Sequence, residues 1–91
     1  MTEQITVYST PWCGDCRRAK RFMDERGIAY REVNIEQNPE AVAFVEKINR
    51  GYRSVPTIVF PDGSILVEPS NPALAERLTA LHLLNASPAV D

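Results

Sequence analysis

The sequence predicts an α/β domain with a four-stranded mixed sheet flanked by three helices, in the element order β-α-β-α-β-β-α. Short runs rich in β-branched and aromatic residues alternate with segments whose apolar residues recur at helical spacing. An Asp-Gly pair separates the last two β-rich runs, which predicts a tight antiparallel hairpin. The first strand-helix-strand unit should be parallel and right-handed.

The first half of the chain supplies two strands and one helix. Residues Ile5 to Ser9 form the first β-rich run, which Pro11 ends. The segment from about Cys13 to Arg26 is predicted to be helical, because three apolar residues recur at helical spacing: Ala19, Phe22 and Met23. Gly27 is a natural terminator for this helix. The alternating run from Tyr30 to Ile35 predicts the second strand.

Both later helices have the same start signal. Asn38-Pro39 and Asn71-Pro72 each place an asparagine at the N-cap and a proline at the first helical position. Their apolar residues recur at helical spacing, and they are Val42, Val45 and Ile48 in one helix and Leu74, Leu78, Leu81 and Leu84 in the other. Between the helices, the runs Thr57 to Phe60 and Ile65 to Val67 predict the hairpin around Asp62-Gly63.

The composition indicates one domain with nearly balanced charge. We expect residues 1–85 to form the domain and residues 86–91 to be a short flexible tail. The formal net charge is −2, from 10 basic and 12 acidic side chains, which gives no case for nucleic-acid binding or a polybasic membrane anchor. With no signal-peptide pattern and no bilayer-length apolar run, we expect a cytoplasmic protein. Nothing in the sequence requires more than a monomer.

Cys13 and Cys16 are separated by two residues at the junction of the first strand and the first helix. The unpaired amides and the dipole at a helix N-terminus would stabilise a thiolate at Cys13. Cys16 should lie about one turn further on and face inward, where it could attack a mixed disulfide on Cys13. In a reducing compartment and a strand-to-helix context, this pair predicts a thiol–disulfide oxidoreductase.

Asp15 lies between the two cysteines. Its carboxylate suits a helix N-terminus, yet it would repel a nearby thiolate. Three cations close in sequence could offset that repulsion: Arg17, Arg18 and Lys20. We expect the helix N-terminus to outweigh the carboxylate.

Two other uses of the cysteine pair are open to test. A structural zinc site needs four ligands, but the chain has only two cysteines and a single histidine, His82. A structural disulfide across so short a loop would constrain the unfolded chain little. Redox chemistry is therefore the favoured interpretation.

Three segments carry a further signal, and they are Val7 to Cys16, Ser54-Val55-Pro56-Thr57 and Asp62-Gly63-Ser64. Together they resemble the glutaredoxin-like proteins of the thioredoxin superfamily. The resemblance is strongest to the mycoredoxins, which are glutaredoxins of bacteria that use mycothiol in place of glutathione. The predicted element order is also that of the thioredoxin fold in its smallest form. The resemblance implies a cis Val55–Pro56 bond beside the reactive cysteine, with the Val55 backbone free to pair with an extended substrate.

The chain departs from ordinary glutaredoxins at three places. Cys-Gly-Asp-Cys replaces their usual Cys-Pro-Tyr-Cys, Glu68-Pro69 replaces a Gly-Gly pair, and Thr10 replaces a basic residue that is common in the family. These differences weigh against glutathione as the natural partner. The resemblance to mycoredoxins implies mycothiol as the co-substrate, with glutathione as the alternative and with no bound cofactor, although Asp15 also departs from the Cys-Gly-Tyr-Cys common in mycoredoxins.

Further candidate substrate-binding residues are Trp12 beside the first cysteine, Arg53 before the Val55-Pro56 turn, and Ser70 and Asn71 at the start of the last helix. For each there is also a plain structural interpretation, as a solvated loop residue or an ordinary helix cap.

We therefore expect Cys13 to attack mixed disulfides between client proteins and a low-molecular-weight thiol. Cys16 would be needed for protein disulfides but not for the one-cysteine route. The first alternative is a general protein-disulfide reductase fed by a flavoprotein reductase. The others are a metal or iron–sulfur carrier and a non-catalytic adaptor.

Overall fold

Four strands form one mixed sheet in the order β2-β1-β3-β4 in the computed structural model, which describes residues 4–83. The elements along the chain are β1 (Ile5–Ser9), α1 (Gly14–Glu25), β2 (Tyr30–Asn34), α2 (Pro39–Ile48), β3 (Thr57–Val59), β4 (Ile65–Val67) and α3 (Asn71–Ala80). Strand β1 pairs parallel with β2, and β3 runs antiparallel to both β1 and β4. The predicted sheet, helices and element order are confirmed, and they form the smallest version of the thioredoxin fold.

The helices cover the two faces of the sheet. Helices α1 and α3 pack on one face over a core centred on Val7, Met23, Ile58, Leu74 and Leu78, all fully buried. On the other face α2 contributes the fully buried Val45 to a smaller cluster. The parallel β1-α1-β2 unit therefore presents the start of α1 at the carboxyl end of β1.

Helix α1 ends as Gly27 predicts. Gly27 has φ +69° and its amide donates to Asp24 O at 3.1 Å, while the next amide, of Ile28, donates to Met23 O at 3.0 Å. This pair of bonds is a Schellman motif, in which glycine takes the left-handed conformation at least steric cost. The helix is one residue shorter at each end than the predicted Cys13 to Arg26 range, because Cys13 is the N-cap and Arg26 the C-cap.

Two predicted strands are each one residue too long. Ile35 does not continue β2 but begins a 3₁₀ turn, because the Asn34 side chain accepts a hydrogen bond from the Glu36 amide at 2.9 Å. Phe60 does not continue β3, since it begins the hairpin turn and its carbonyl accepts from the Gly63 amide at 2.8 Å. The predicted hairpin itself is confirmed.

The start of the last helix was also predicted one residue late. The N-cap of α3 is Ser70, whose hydroxyl accepts from the Ala73 amide at 3.2 Å, and Asn71 is the first helical residue. At α2 the prediction is correct, with Asn38 at the N-cap. Leu84 and the predicted tail at residues 86–91 lie outside the described residues. Within residues 4–83, no helix combines the length and the apolar character needed to cross a membrane.

Candidate active site

Cys13 is the N-cap of α1, where one helix amide points at its sulfur. Its backbone is extended, with φ −87° and ψ 115°, and its Sγ accepts a hydrogen bond from the Cys16 amide at 3.0 Å. The Cys13 thiol donates to Val55 O, 3.7 Å away, across the junction between α1 and β3. The residue retains 8% of its surface in contact with solvent. The sulfur is thus held by one helix amide and one loop carbonyl.

Cys16 is one turn further along α1 and is fully buried, as predicted. Burial raises the pKa of its thiol to about 12, and a hydrogen bond to Cys13 acts in the same direction. The backbone of Thr10 opposes the increase in pKa only in part. Cys16 is therefore a protonated thiol at neutral pH, and both cysteines are free. The two sulfurs differ in access and in environment.

The reactive end of α1 opens into a groove of about 650 Å³. The structure brings three predicted substrate-binding residues together in its lining with Cys13: Trp12, Arg53 and Val55. The side chain of Trp12 is 66% exposed and that of Tyr52, also in the lining, is 72% exposed. Exposed aromatic side chains on an open groove are suited to contact a bound molecule.

Pro56, predicted as a binding residue, is buried and does not line the groove, and the Val55–Pro56 bond is cis, as the resemblance implied. Among residues 4–83, no acceptor binds the Val55 amide. Its carbonyl faces the Cys13 thiol. Only the Val55 amide is therefore without a partner among residues 4–83, whereas the resemblance implied that the carbonyl would be free as well.

Two glutamate carboxylates hold the side chains of Trp12 and Arg53 at the groove. The Trp12 indole Nε1 donates to Glu36 Oε2 at 2.6 Å, and Arg53 Nε donates to Glu46 Oε2 at 2.8 Å. Both carboxylates come from the α2 side of the molecule, so this side sets the orientation of Trp12 and Arg53. Sequence reasoning missed Glu36, because 24 residues separate it from Trp12.

Only one of the three cations expected near Asp15 lies beside it. Arg18 Nη2 is 3.6 Å from Asp15 Oδ1. Arg17 instead donates to Pro11 O at 3.2 Å, and Lys20 forms an ion pair with Glu32. Within residues 4–83, Arg18 is therefore the one cation that forms an ion pair with Asp15.

Ser70 and Asn71 do not line the groove that holds Cys13. Ser70 caps α3, and Asn71 Oδ1 accepts from Arg18 Nη1 at 2.7 Å. Asn71 lines a separate cleft between α1 and α3, of about 550 Å³. Glu68 and Ser54 also line the groove. The sequence drew attention to Glu68 as a replacement for a Gly-Gly pair and to Ser54 as part of the Ser54-to-Thr57 segment, but neither was predicted as a binding residue. Within residues 4–83, no group of three or more His, Cys, Asp or Glu side chains is placed to hold a metal ion.

The glutaredoxin family model matches residues 5–65, more than half of the chain. The chain belongs to the glutaredoxin family. The family match and the mycoredoxin relative described next support its assignment as a glutaredoxin-like thiol–disulfide oxidoreductase, which takes a thiol as co-substrate and needs no bound cofactor.

Three proteins illustrate the relationships of this glutaredoxin. A candidate glutaredoxin of Mycobacterium tuberculosis strain H37Rv is 43% identical over 81 residues, which are 89% of this chain and 96% of the relative. Mycoredoxin 1 of Corynebacterium glutamicum is 34% identical over 80 residues, 88% of this chain and 95% of the relative. The solved structure of the glutaredoxin-like NrdH-redoxin from Escherichia coli superposes with a TM-score of 0.67 at 28% identity, covering 82% of this chain and 93% of the other.

Proposed function

We propose that this glutaredoxin reduces mixed disulfides between proteins and a low-molecular-weight thiol, and that Cys13 is the attacking residue. The observation that carries the proposal is the asymmetry of the two sulfurs. Cys13 Sγ lines the groove and accepts the Cys16 amide at 3.0 Å, whereas Cys16 is fully buried with a thiol pKa of about 12. An attacking thiolate needs access and is stabilised by hydrogen-bond donors, and Cys13 lines the groove and accepts one helix amide.

In the first step the Cys13 thiolate attacks the small-thiol sulfur of the mixed disulfide. A disulfide bond forms between Cys13 Sγ and the sulfur of the small thiol, and the client protein leaves as its thiolate. A second molecule of the small thiol then attacks this adduct, which releases the symmetrical small-thiol disulfide and restores the Cys13 thiolate. The net reaction converts one mixed disulfide and one free small thiol into the client thiol and one symmetrical small-thiol disulfide, and Cys16 takes no part in it.

Cys16 acts on disulfides within or between client proteins. After Cys13 has formed a mixed disulfide with the client, Cys16 loses its proton and attacks Cys13 Sγ. The client leaves fully reduced, and a Cys13–Cys16 disulfide remains. Because the pKa of Cys16 is about 12, the loss of this proton is a required part of the second attack.

The likeness to mycoredoxin 1 supports mycothiol as the small thiol. Mycoredoxin 1 of C. glutamicum is similar over 88% of this chain. We place the substrate in the groove against Trp12, Arg53 and Val55, with Pro56 behind it, and the client reaction in the cytoplasm. Ser70 and Asn71 stay predicted contacts, to be tested separately because they lie outside the groove lining.

The test is turnover of a peptide mixed disulfide with mycothiol and, in parallel, with glutathione. We expect the wild-type protein to prefer mycothiol, Cys13→Ser to lose all turnover, and Cys16→Ser to retain the one-cysteine route. Matched folding of the two variants is checked by urea unfolding. Strong preference for glutathione would overturn the choice of thiol, and loss of mixed-disulfide turnover in Cys16→Ser would overturn the one-cysteine route.

A second candidate is a general protein-disulfide reductase that receives electrons from a flavoprotein reductase. The likeness to the E. coli NrdH-redoxin, a glutaredoxin-like protein with a thioredoxin-like activity profile, favours this candidate. An insulin-reduction assay coupled to NADPH and thioredoxin reductase distinguishes the two. Turnover that exceeds the mycothiol-coupled rate would favour the second candidate.

A further inference from the structure

Three charged side chains line the groove that holds Cys13: Asp15, Arg53 and Glu68. Two of them have a partner of opposite charge. Arg53 binds Glu46 at 2.8 Å, and Asp15 faces Arg18 at 3.6 Å. These two groove charges are therefore offset by side chains that do not line the groove themselves.

Glu68 is different, because no cation within residues 4–83 lies within 4 Å of its carboxylate, and the residue is exposed. The backbone holds this carboxylate at the groove. Glu68 has φ +51°, in the left-handed region, and its amide donates to Pro56 O at 2.8 Å. The carbonyl of the next residue, Pro69, accepts from Arg18 Nη2 at 3.0 Å. The loop is thus tied on one side to the residue after Val55 and on the other to α1.

We propose that Glu68 makes the groove discriminate against anionic disulfide substrates and favours uncharged or cationic ones. This inference rests on the proposed function, since it takes the groove beside Cys13 as the place where the small thiol binds. Glutathione carries two carboxylates against one ammonium group, so its disulfide has a net negative charge. A sugar-linked thiol without carboxylates meets no such repulsion. Glu68 is therefore a specificity-determining residue for the small thiol.

The electrostatic effect is expected to be modest because the groove is open to water. One unit charge at a distance on the order of 10 Å from a doubly charged disulfide, in water at low salt, changes a rate by about threefold. Reversing the charge should double the free-energy change and give about tenfold. High salt should remove most of the difference, because the interaction is screened.

The experiment follows the first turnover of pre-reduced protein, so that no charged electron donor is needed. Cys13 attacks a symmetrical disulfide, one thiolate leaves, and Cys16 then displaces the second, which yields the Cys13–Cys16 disulfide and two small thiols. Three disulfides are compared: glutathione disulfide (anionic), hydroxyethyl disulfide (neutral) and cystamine (cationic), of which the last two are nearly the same size and each is compared between variants. Reactions are run at 10 mM and at 500 mM NaCl and are stopped with acid at set times. Mass spectrometry of the stopped samples gives the initial second-order rate constants.

Two substitutions at position 68 change the side-chain charge while keeping a residue with a Cβ in the left-handed backbone conformation. Glu68→Gln and Glu68→Lys both retain a Cβ at φ +51°, whereas glycine would also relieve the backbone. The matched control is Glu76→Gln, which removes the same charge from an exposed position on α3 outside the groove.

For Glu68→Gln at low salt, we expect the rate constant to rise about threefold with glutathione disulfide, to fall about threefold with cystamine and to stay unchanged with hydroxyethyl disulfide. Glu68→Lys should extend both trends to about tenfold, and Glu76→Gln should match the wild type. An equal change with all three disulfides, no change, or the same effect in Glu76→Gln would overturn the role of Glu68. Failure of the wild type to react with the neutral disulfide would instead overturn the proposed function.

Discussion

Thr57 supports the loop that carries Val55, and replacing it with valine isolates the contribution of one hydroxyl. Thr57 is fully buried in β3. Its Oγ1 donates to Ser54 O at 2.7 Å and accepts from Asn49 Nδ2 at 3.2 Å. Thr57→Val keeps the branched shape that suits the strand but removes both hydrogen bonds.

The two lost bonds have unequal costs. Asn49 Nδ2 also donates to Val45 O at 2.9 Å, so its amide keeps a partner. Ser54 O accepts only from Thr57 among residues 4–83, so the variant leaves this carbonyl unpaired. An unpaired buried polar group costs roughly 1–3 kcal/mol, and Ser54 is only half-buried, so we expect the free energy of unfolding to fall by about 1–2 kcal/mol.

Urea unfolding followed by far-UV circular dichroism measures this change. Thr6→Val is the matched control, since Thr6 is a half-buried residue of β1 whose hydroxyl has no partner within residues 4–83. We expect its effect to stay within about 0.5 kcal/mol. If Thr57→Val were as stable as Thr6→Val, the Thr57–Ser54 bond would not support the loop.

Two further predictions concern carboxylates. Removing the acceptor in Glu36→Ala should free the Trp12 indole and lower the fluorescence anisotropy of this tryptophan. Glu36→Gln, which keeps an oxygen acceptor, should leave the anisotropy near the wild-type value. Equal anisotropy in all three proteins would contradict the contact. The pKa of Glu32 is lowered from its ordinary value near 4.5, first by the hydrogen bond from Lys20, so its stabilisation is present above that value and is lost as pH falls through the lowered pKa. Because Glu32 is exposed, we expect Glu32→Gln to be less stable than the wild type by at most about 1 kcal/mol at pH 7. The difference in urea midpoint should shrink as the pH falls through the lowered pKa of Glu32. A difference that grew in acid would refute the stabilising role of this carboxylate.

The parts of the fold that local patterns determine could be predicted from the sequence. The bounds of β1 and β4, the Gly27 terminus and the Asn38 cap all depend on residues close to one another in the chain. The cysteine pair at the start of α1 belongs to the same class, since its position follows from a strand that ends just before a helix.

Features that depend on side-chain competition or on tertiary contacts were not predictable in this way. Asn71 carries the sequence signal of an N-cap, but Ser70 is the cap, and the Asn71 side chain accepts from Arg18, 53 residues away. The unpaired charge of Glu68 is another case, because it becomes significant only when the β4–α3 loop lies beside the Cys13 groove.

The difference between the two sulfurs is tested most directly by limited labelling. Fully reduced protein is treated with one-tenth of an equivalent of iodoacetamide at pH 7, and fragmentation of the peptide that contains both cysteines locates the label. We predict that almost all of it is on Cys13, because Cys16 is fully buried and its pKa is about 12. Equal labelling of the two residues, or preference for Cys16, would contradict the assignment of Cys13 as the attacking thiol.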